Sequence, residues 1–449
     1  MSELSERAEN RLGRLVAETQ RRCRLPGLVL AITPAYDLVE YFQAGTADFD
    51  QGLAAGSDVQ FRIGSITKTV TAVGIMQMVA EGRLGLEEPL GDRWPHAPQP
   101  ALPVGALLSH TSGLQREPVG EVWETLLPPT REELPEKAAE ARVLYPSGSF
   151  WHYSNLGYAL LGELLVQVSG LPWEHYVRER IFNPLGMSRT SMQPAAPHAQ
   201  GYAVDPNSDR IFVEPAVDTR GIAPAAQLWS TSHDLAIWAN FLGQGHPKVL
   251  RREELDRMAT PRVLADLTTW RLAWGLGMML LRSGDRTYVG HTGSMPGFLA
   301  ACFWWPAGGW GVVSLTNATA GMRIGAVASQ ALDILAEEAR PMVPWRPDGA
   351  IPREVSSVLG SWWSEWSQWI FTWRDGELVS SPADAVDGSE PDRYRPVGVD
   401  RYVTVNGPER GEELRLERDS GGSVVKMYRA TYPFTREPRT FGQGRNAPR

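Results

Sequence analysis

The sequence predicts an α+β fold in which helices, including a helical subdomain, flank an antiparallel sheet, followed by a small all-β domain. Three observations predict it. Two helix-length segments, at about 65–81 and 155–168, have little polar face and so belong in the interior. Strand-like segments precede and follow them, at about 28–44 and 287–315, which favours a sheet covered by helices. Beyond residue 352 the pattern changes to short strands.

The first elements are a helix and a hairpin. Residues 3–22 place apolar side chains on one stripe among charged residues, which predicts an amphipathic surface helix. Pro26 and Gly27 then introduce an apolar run at 28–32, typical of a buried strand, and residues 38–44 are expected to pair back onto it.

Residues 115–150 form an excursion that is rich in proline and charge. We expect a short helix near 130–143, because Thr130 and Glu133 have the spacing of a capping pair. In such a pair, each side chain accepts a hydrogen bond from the backbone N–H of the other residue.

The segment from Thr292 to Met322 has no charged residue and is long enough to span a bilayer. Pro306 to Gly309 divides it in the middle, and both arms are strand-like. We therefore predict a buried β-hairpin rather than a membrane helix. A last amphipathic helix is expected at 322–338.

The chain is expected to form two domains joined by a linker. Residues 341–352 are proline-rich, which is typical of a linker, and they separate a domain at 1–340 from one at 353–449. The second domain is predicted to be a small antiparallel β-barrel-like domain. Its predicted strands are Gln368–Arg374, Leu378–Ser381, Arg393–Val397, Tyr402–Val405, Glu413–Glu417 and Ser423–Arg429.

The composition excludes several classes of function. A net charge of -8 and a pI of about 5.6 argue against nucleic-acid or acidic-membrane partners. Two cysteines, Cys23 and Cys302, allow one disulfide at most, and no Cys/His cluster has zinc spacing, so we predict neither metal nor cofactor. The N-terminal residues lack a secretory pattern, which predicts a cytosolic location. The oligomeric state stays open.

The most informative residue is Lys68, one of four lysines in a chain whose basic residues are otherwise arginine. It follows Ser65 by three positions at the start of the first buried helix. Residues at this spacing share a helix face, and a buried lysine can lose its proton, which an arginine cannot do. A base beside a hydroxyl is the minimum requirement for an activated serine nucleophile.

The same spacing recurs at Ser423 and Lys426, so context must separate the two pairs. Residues three apart on a strand point to opposite faces, and Ser423 and Lys426 lie in a predicted strand. Ser65 and Lys68 instead begin a helix, where unpaired backbone N–H groups favour developing negative charge. Ser65 and Lys68 are therefore the candidate pair; the alternative is an N-capping serine with an incidental lysine.

Two further motifs lie at the ends of predicted elements. Tyr153-Ser154-Asn155 lies where a loop meets the second buried helix, so it can hold a phenol and an amide toward a site. The alternative is that Tyr153 packs in the turn and that Ser154 or Asn155 caps the helix. His291-Thr292-Gly293 ends a strand before a Pro-Gly turn, and a glycine there lets a ligand approach the backbone. An ordinary strand histidine is the alternative.

With these motifs in this order, the chain resembles the serine β-lactamase-related superfamily, which includes penicillin-binding proteins, class C β-lactamases, D-aminopeptidases and esterases. The resemblance covers roughly residues 10–338. It extends to further segments, namely Leu107–Leu114 with His110, Pro184–Met187, Trp229–Leu235 and Leu315–Asn317.

The resemblance implies roles for the matched residues. Ser65 looks like the acylated nucleophile, Lys68 its proton acceptor, and Tyr153 the general acid and base. Asn155 would bind the acyl amide of the substrate. His110 is expected to have a structural role.

The resemblance also implies how the substrate is held. His291, Thr292 and Gly293 would form the strand beside it, and the backbone N–H groups of Ser65 and Ser294 would form an oxyanion hole. We expect Lys68 and Tyr153 to titrate as a pair, with both proton affinities depressed.

His291 stands where cell-wall enzymes and β-lactamases usually carry lysine. Because histidine is mostly neutral at pH 7, this argues against a substrate carboxylate. We predict a serine hydrolase that cleaves a small amide or ester, most like D-aminopeptidases and esterases, with a small-molecule or peptide-like substrate. Alternatives are an acyltransferase of the same fold, a β-lactamase or DD-peptidase, and a catalytically silent binding protein. Loops such as 115–150 and 200–225 would form the side-chain pocket.

Overall fold

The computed structural model describes residues 4–34, 39–319, 321–323, 325–338, 350–386 and 389–440. The chain divides into two compact units, Met1–Pro341 and Met342–Arg449. Of the predicted linker at 341–352, all but the last three residues lie outside the described residues, as do the start of the predicted strand at 38–44 and Ile324 of the last predicted helix.

The first unit is built on a nine-stranded antiparallel sheet, as predicted. Its strands are β1 (Gly27–Pro34), β2 (Glu40–Asp48), β3 (Leu53–Ala54), β4 (Val263–Leu264), β5 (Leu272–Trp274), β6 (Met279–Ser283), β7 (Arg286–Met295), β8 (Phe298–Trp305) and β9 (Trp310–Thr316). In space they follow the order β3-β2-β1-β9-β8-β7-β6-β5-β4. The sheet therefore joins the two ends of this unit, because β1 lies beside β9.

Five longer helices accompany the sheet: α1 (Glu6–Arg22), α2 (Thr67–Ala80), α3 (Asn155–Ser169), α4 (Ser232–Gln244) and α5 (Ala326–Glu338). The α1 helix begins where Ser5 Oγ accepts a hydrogen bond from the Ala8 N–H. Leu28, Leu30 and Ile32 of β1 pack in one core with α1 and α5. Val29 and Ala31 face a second, larger core with α2, α3 and α4. Both faces of β1 are thus covered, which explains its continuous apolar run.

The uncharged segment from Thr292 onward forms the hairpin of β8 and β9, as predicted, with every residue of both strands buried. No helix among the described residues is long and apolar enough to cross a membrane. Absence of charge here reflects burial on both sheet faces.

Shorter helices complete the helical part of this unit: Leu90–Arg93, Val104–Leu108, Val122–Thr125, Leu134–Ala139, Trp173–Val177, Asn183–Leu185, Ala223–Ala226 and Arg252–Met258. The Thr130–Glu133 capping pair is present, since the Thr130 N–H donates to Glu133 Oε2 (2.8 Å) and the Glu133 N–H to Thr130 Oγ1 (3.2 Å). The helix behind it is shorter than predicted, because only Leu134 and Ala138 bury an apolar face.

The second unit is a meander of eight antiparallel strands: β10 (Gly360–Ser364), β11 (Ser367–Arg374), β12 (Glu377–Pro382), β13 (Asp392–Gly398), β14 (Arg401–Thr404), β15 (Glu413–Arg418), β16 (Val424–Arg429) and β17 (Tyr432–Phe434). Trp363 in β10 exchanges two backbone hydrogen bonds with Thr435, which follows β17 (2.7 and 2.9 Å). This bridge brings the two edge strands together around Trp362, Phe371 and their neighbours, so the unit is nearly a barrel and the predicted all-β domain is confirmed.

Candidate active site

Ser65 lies in a single 3₁₀ turn, Gly64–Ile66, that leads directly into α2. Gly64 has a φ of +51°, and a Cβ atom on it would come 2.7 Å from the backbone nitrogen of Ser294. A side chain at residue 64 would be strained and would collide with β7. Glycine at this position therefore lets the serine turn pack directly against the backbone of β7.

The Lys68 side chain is fully buried and directed at Ser65. Its Nζ lies 3.2 Å from Ser65 Oγ, 2.6 Å from Asn155 Oδ1 and 2.9 Å from the Ala225 carbonyl oxygen. Burial lowers the pKa of Lys68 well below its usual value; the Glu117 carboxylate opposes this and the Arg116 guanidinium adds to it.

Lys68 has three partners around its amine. Asn155 Oδ1 and the Ala225 carbonyl oxygen can only accept hydrogen bonds, so each takes an N–H group, and the third side of Nζ faces the Ser65 hydroxyl. Because burial favours loss of the lysine proton, the lone pair that this loss leaves would face Ser65 Oγ. The arrangement places a proton acceptor against the candidate nucleophile.

Tyr153 lies beside the same amine. Lys68 Nζ and the Arg116 guanidinium carbon each lie 4.8 Å from the centre of its ring, and the His110 ring stacks on it at 4.3 Å. Burial raises the pKa of Tyr153 above its usual value, while the Ser65 hydroxyl and the Arg116 guanidinium lower it. The expectation that both proton affinities are depressed is wrong for Tyr153, since burial disfavours a phenolate and outweighs the nearby cations.

Ser154 and Asn155 have different roles: Ser154 caps a helix, as one interpretation of the motif held, and Asn155 directs its amide into the site, as the other held. Ser154 is the N-cap of α3 and accepts from the Gly157 N–H (2.9 Å). The Asn155 side chain instead bridges Lys68 and Glu117, with Nδ2 donating to Glu117 Oε1 at 2.6 Å. Sequence reasoning missed Arg116 and Glu117, and no periodicity or motif in the excursion marks them.

His110 holds this region together. Its Nδ1 accepts from the Ser154 N–H at 3.1 Å, and its backbone oxygen accepts from the His152 N–H at 2.7 Å. Burial lowers its pKa well below the usual value, so the ring is neutral. These contacts support the expected structural role for His110.

The end of β7 forms the second wall of the site. Strand β6 pairs with β7 only as far as Gly290, and the next residues lie along the serine turn. A Cβ atom on Gly293 would be 1.8 Å from the Ile63 carbonyl oxygen and 3.2 Å from the Ser65 nitrogen. The Thr292 side chain lines a different cavity, with Phe303 and Arg323. Only the backbone of Thr292 is therefore available to the site.

His291 is buried beside the phenol. Its Nδ1 bonds to the Thr292 carbonyl oxygen, so Nδ1 carries the proton, and its Nε2 has no partner among the described residues. Its ring lies 5.3 Å from that of Trp274 and 6.4 Å from that of Tyr153. Burial lowers its pKa to about 3. The imidazole is therefore neutral at pH 7.

A cleft of about 710 Å³ opens above Ser65. Ser294 and Met295 form one side of it, and Asn155 lies at its wall. Its charged lining residues are Arg116, Glu117, Glu124 and Glu214. In the described part of the chain no group of His, Cys, Asp or Glu has the arrangement of a metal site.

Comparisons with known proteins identify the family of the chain. The Beta-lactamase family model matches residues 12–337, and a domain of unknown function, DUF7586, matches residues 351–436. Beta-lactamase-like protein 2 of Dictyostelium discoideum is 29% identical over 220 residues; the match spans 45% of this chain but only 39% of that relative's length.

Two solved structures extend the comparison. The octameric penicillin-binding protein homologue from Pyrococcus abyssi superposes with a TM-score of 0.66 at 21% identity, covering 95% of this chain and 99% of that one, which shows the same fold. D-amino acid amidase from Ochrobactrum anthropi SV3, solved with L-phenylalanine amide, has a TM-score of 0.62 at 26% identity, covering 74% of this chain and 98% of that one. The chain therefore belongs to the Beta-lactamase family.

Proposed function

We propose that the protein cleaves a small amide or ester through an acyl-enzyme on Ser65. The observation that carries the proposal is the position of Lys68 Nζ, which is buried, has acceptors for two of its N–H groups, and turns its third side to the Ser65 hydroxyl. A binding protein has no need of a buried amine in this state, since burying a lysine is costly.

In acylation, Ser65 Oγ attacks the substrate carbonyl carbon and its proton passes to Lys68. The resulting oxyanion lies between the backbone N–H groups of Ser65 and Ser294, each worth about 2.7–4 kcal/mol in comparable sites. The neutral Tyr153 phenol donates its proton to the leaving nitrogen or oxygen as the bond to carbon breaks. The proton held by Lys68 then restores the phenol.

Deacylation follows the same route in reverse. Water attacks the Ser65 ester, the Lys68–Tyr153 pair takes its proton, and Ser65 leaves with a proton returned from the pair. Asn155 orients the acyl group, while the backbone from His291 to Gly293 aligns the substrate beside the serine turn.

The substrate class follows from His291 and from the amidase similarity. A neutral imidazole offers no permanent cation to a substrate carboxylate, so we infer that a carboxylate is not the recognised group. The similarity to D-amino acid amidase favours amides and esters of the D-aminopeptidase type over β-lactams and DD-peptides. The cytosolic location stays a prediction from the sequence.

Labelling with a fluorophosphonate tests the nucleophile. We expect an adduct on Ser65 in the wild type and none in Ser65→Ala. A panel of D-amino-acid amides, p-nitrophenyl esters and nitrocefin then ranks the substrate classes, and products formed with and without added alcohol separate hydrolysis from acyl transfer. Absence of an adduct in a folded wild type would contradict the proposal and favour a silent binding protein.

A further inference from the structure

Part of the cleft above Ser65 is formed by the excursion at 115–150. Residues 122–126, a short helix and the residue that follows it, supply Trp123 and Leu126 to the lining of the cleft. Leu126 is half-buried, whereas the side chain of the next residue, Leu127, is exposed at 61%. Of these two adjacent leucines, Leu126 is therefore the one that the chain turns toward the cleft.

Leu126 packs against a small apolar cluster that is separate from the two larger cores of this unit. The cluster consists of Val217, Ala226 and Met295, all of them buried. Ala226 and Met295 also line the cleft. Leu126 therefore joins the excursion to two other segments of the cleft and closes the cleft between them. We name Leu126, Ala226 and Met295 the end wall.

The end wall lies next to the groups that act on the substrate. Met295 follows Ser294, whose N–H is the second oxyanion donor in the mechanism above, and both line the cleft together with Ser65. Ala226 follows the residue whose carbonyl oxygen accepts from Lys68 Nζ at 2.9 Å. An acyl group bonded to Ser65 therefore starts within about one residue of the end wall, by the spacing of adjacent residues in a chain.

The backbone conformation of Leu126 is unusual. Its φ of +56° lies in the left-handed region, which is unfavourable for leucine. The Thr125 hydroxyl fixes this turn, because Oγ1 donates to the Glu121 carbonyl oxygen at 2.9 Å and accepts from the Leu127 N–H at 3.2 Å. Such conformations persist where surrounding contacts hold them, and they cluster at ligand-binding sites. The conformation of Leu126 thus agrees with a role in the cleft.

The end wall continues into other apolar lining. Trp123, Pro215 and Pro296 belong to the same cleft, and the Trp123 side chain is 41% exposed. An exposed indole beside a nucleophile offers a large apolar surface to a ligand. The group that fits against this lining is a hydrocarbon chain or ring.

We propose that Leu126 determines substrate specificity by limiting the length of the apolar acyl group that the cleft accepts. The acyl group extends from Ser65 along the apolar lining until it meets the end wall. Each carbon that reaches the lining adds buried apolar area, whereas a longer group must displace the Leu126 side chain. The inference rests on the proposed acyl-enzyme, and it adds the part of the substrate that is selected and the residue that selects it.

The test uses p-nitrophenyl esters of straight-chain acids from acetate to decanoate, which keep the leaving group constant. Wild-type kcat/KM should rise about fourfold with each added methylene and fall once the chain meets the end wall. Leu126→Ala, which shortens the side chain, should move the optimum about two carbons longer and raise kcat/KM at that length about 10-fold. Leu126→Phe should move the optimum to shorter acids. Leu127→Ala, at the exposed neighbouring leucine, is the control and should keep the wild-type profile.

Several outcomes would overturn the inference. The same chain-length profile in the wild type, Leu126→Ala and Leu126→Phe would show that Leu126 sets no limit. An equal loss at every chain length would make Leu126 only an anchor for the excursion. Acetate esters of lengthening alcohols form a second series, and a shift in this series alone would assign the end wall to the leaving group.

Two controls keep the result interpretable. Thermal unfolding checks that the variants fold, and if Leu126→Ala does not fold, Leu126→Phe and Leu126→Met, which keep an apolar contact, decide the question. Fluorophosphonate labelling of Ser65 separates the two proposals. Labelling without any shift in chain length contradicts only the role of Leu126, whereas no labelling in the wild type contradicts the acyl-enzyme as well.

Discussion

Gly293 lies so close to Ile63 that a Cβ atom on the glycine would come within 1.8 Å of the Ile63 carbonyl oxygen. This contact fixes the distance between β7 and the turn that carries Ser65. The obstacle is backbone rather than a mobile side chain, so a larger residue at 293 must move one of the two chain segments.

Replacing Gly293 by alanine tests this contact. We expect Gly293→Ala to lower kcat/KM by about 100-fold, because a displacement of about 1 Å between nucleophile and oxyanion donor has that effect. Gly56→Ala is the control, since a Cβ there meets only Val59 at 3.7 Å. Wild-type turnover in Gly293→Ala would show that the close approach is not needed for catalysis.

Replacing Lys68 by arginine tests the neutral amine. Arginine keeps the positive charge but cannot release its proton in a protein, so Lys68→Arg should slow acylation by about 10²- to 10⁴-fold. The rate of Ser65 labelling by a fluorophosphonate measures this step. Lys137→Arg, at a partly exposed lysine near Glu140, should label at the wild-type rate. Rapid labelling of Lys68→Arg would mean that another group takes the proton.

Removing the Tyr153 hydroxyl should affect substrates according to their leaving group. A protonated phenol is needed to release an amine but not a nitrophenolate, so Tyr153→Phe should lower amide turnover by about 10²- to 10⁴-fold and aryl-ester turnover much less. Tyr288→Phe, whose hydroxyl contacts Asp333 on the other face of the sheet, is the control. Equal losses on both substrate types would argue against proton donation by Tyr153.

The buried His291 predicts a loss of stability in acid. Its pKa falls from 6.5 to about 3 in the folded protein, so below pH 6.5 the unfolded chain binds a proton that the folded protein does not. The stability that neutral His291 contributes is therefore complete above pH 6.5 and is lost as the pH falls toward 3.

His291→Gln should accordingly show a smaller drop in Tm than the wild type between about pH 7 and about pH 4.5. His96→Gln, at an exposed histidine, serves as its control. The pH profiles of kcat/KM for wild type and His291→Ala should coincide from about pH 5 to about pH 9, because the wild-type ring stays neutral there. An ionisation seen in the kcat/KM profile of the wild type but not of His291→Ala would contradict this and give protonated His291 a role in turnover.

Local patterns were sufficient to predict the elements that carry most of the site. The sequence distinguishes Lys68 from Lys426, and the structure places Lys426 on strand β16 beside Tyr428. In the second unit, the six predicted strands are present, but β10 and β17 were not predicted. Both are short, and their pairing depends on Trp363 meeting Thr435, a contact between distant parts of the chain.

Arg116 and Glu117 show what local patterns cannot supply. Their place beside Asn155 follows from a long-range backbone bond, in which the Asn155 N–H donates to the Arg116 carbonyl oxygen at 2.7 Å. Nothing in the spacing of the excursion encodes that contact. The predicted direction of the Tyr153 pKa shift is also wrong because of packing. Whether burial or the nearby cations dominate depends on contacts that the sequence alone does not give.

The two short strands that close the C-terminal barrel have a further consequence. The hydrogen bonds between Trp363 and Thr435 occupy backbone groups of both edges that would otherwise be open to another chain. A chain cut before Tyr432 would expose β10 and β16 as adjacent open edges, which invite pairing between molecules. Strand β17 thus reduces the tendency of this unit to aggregate.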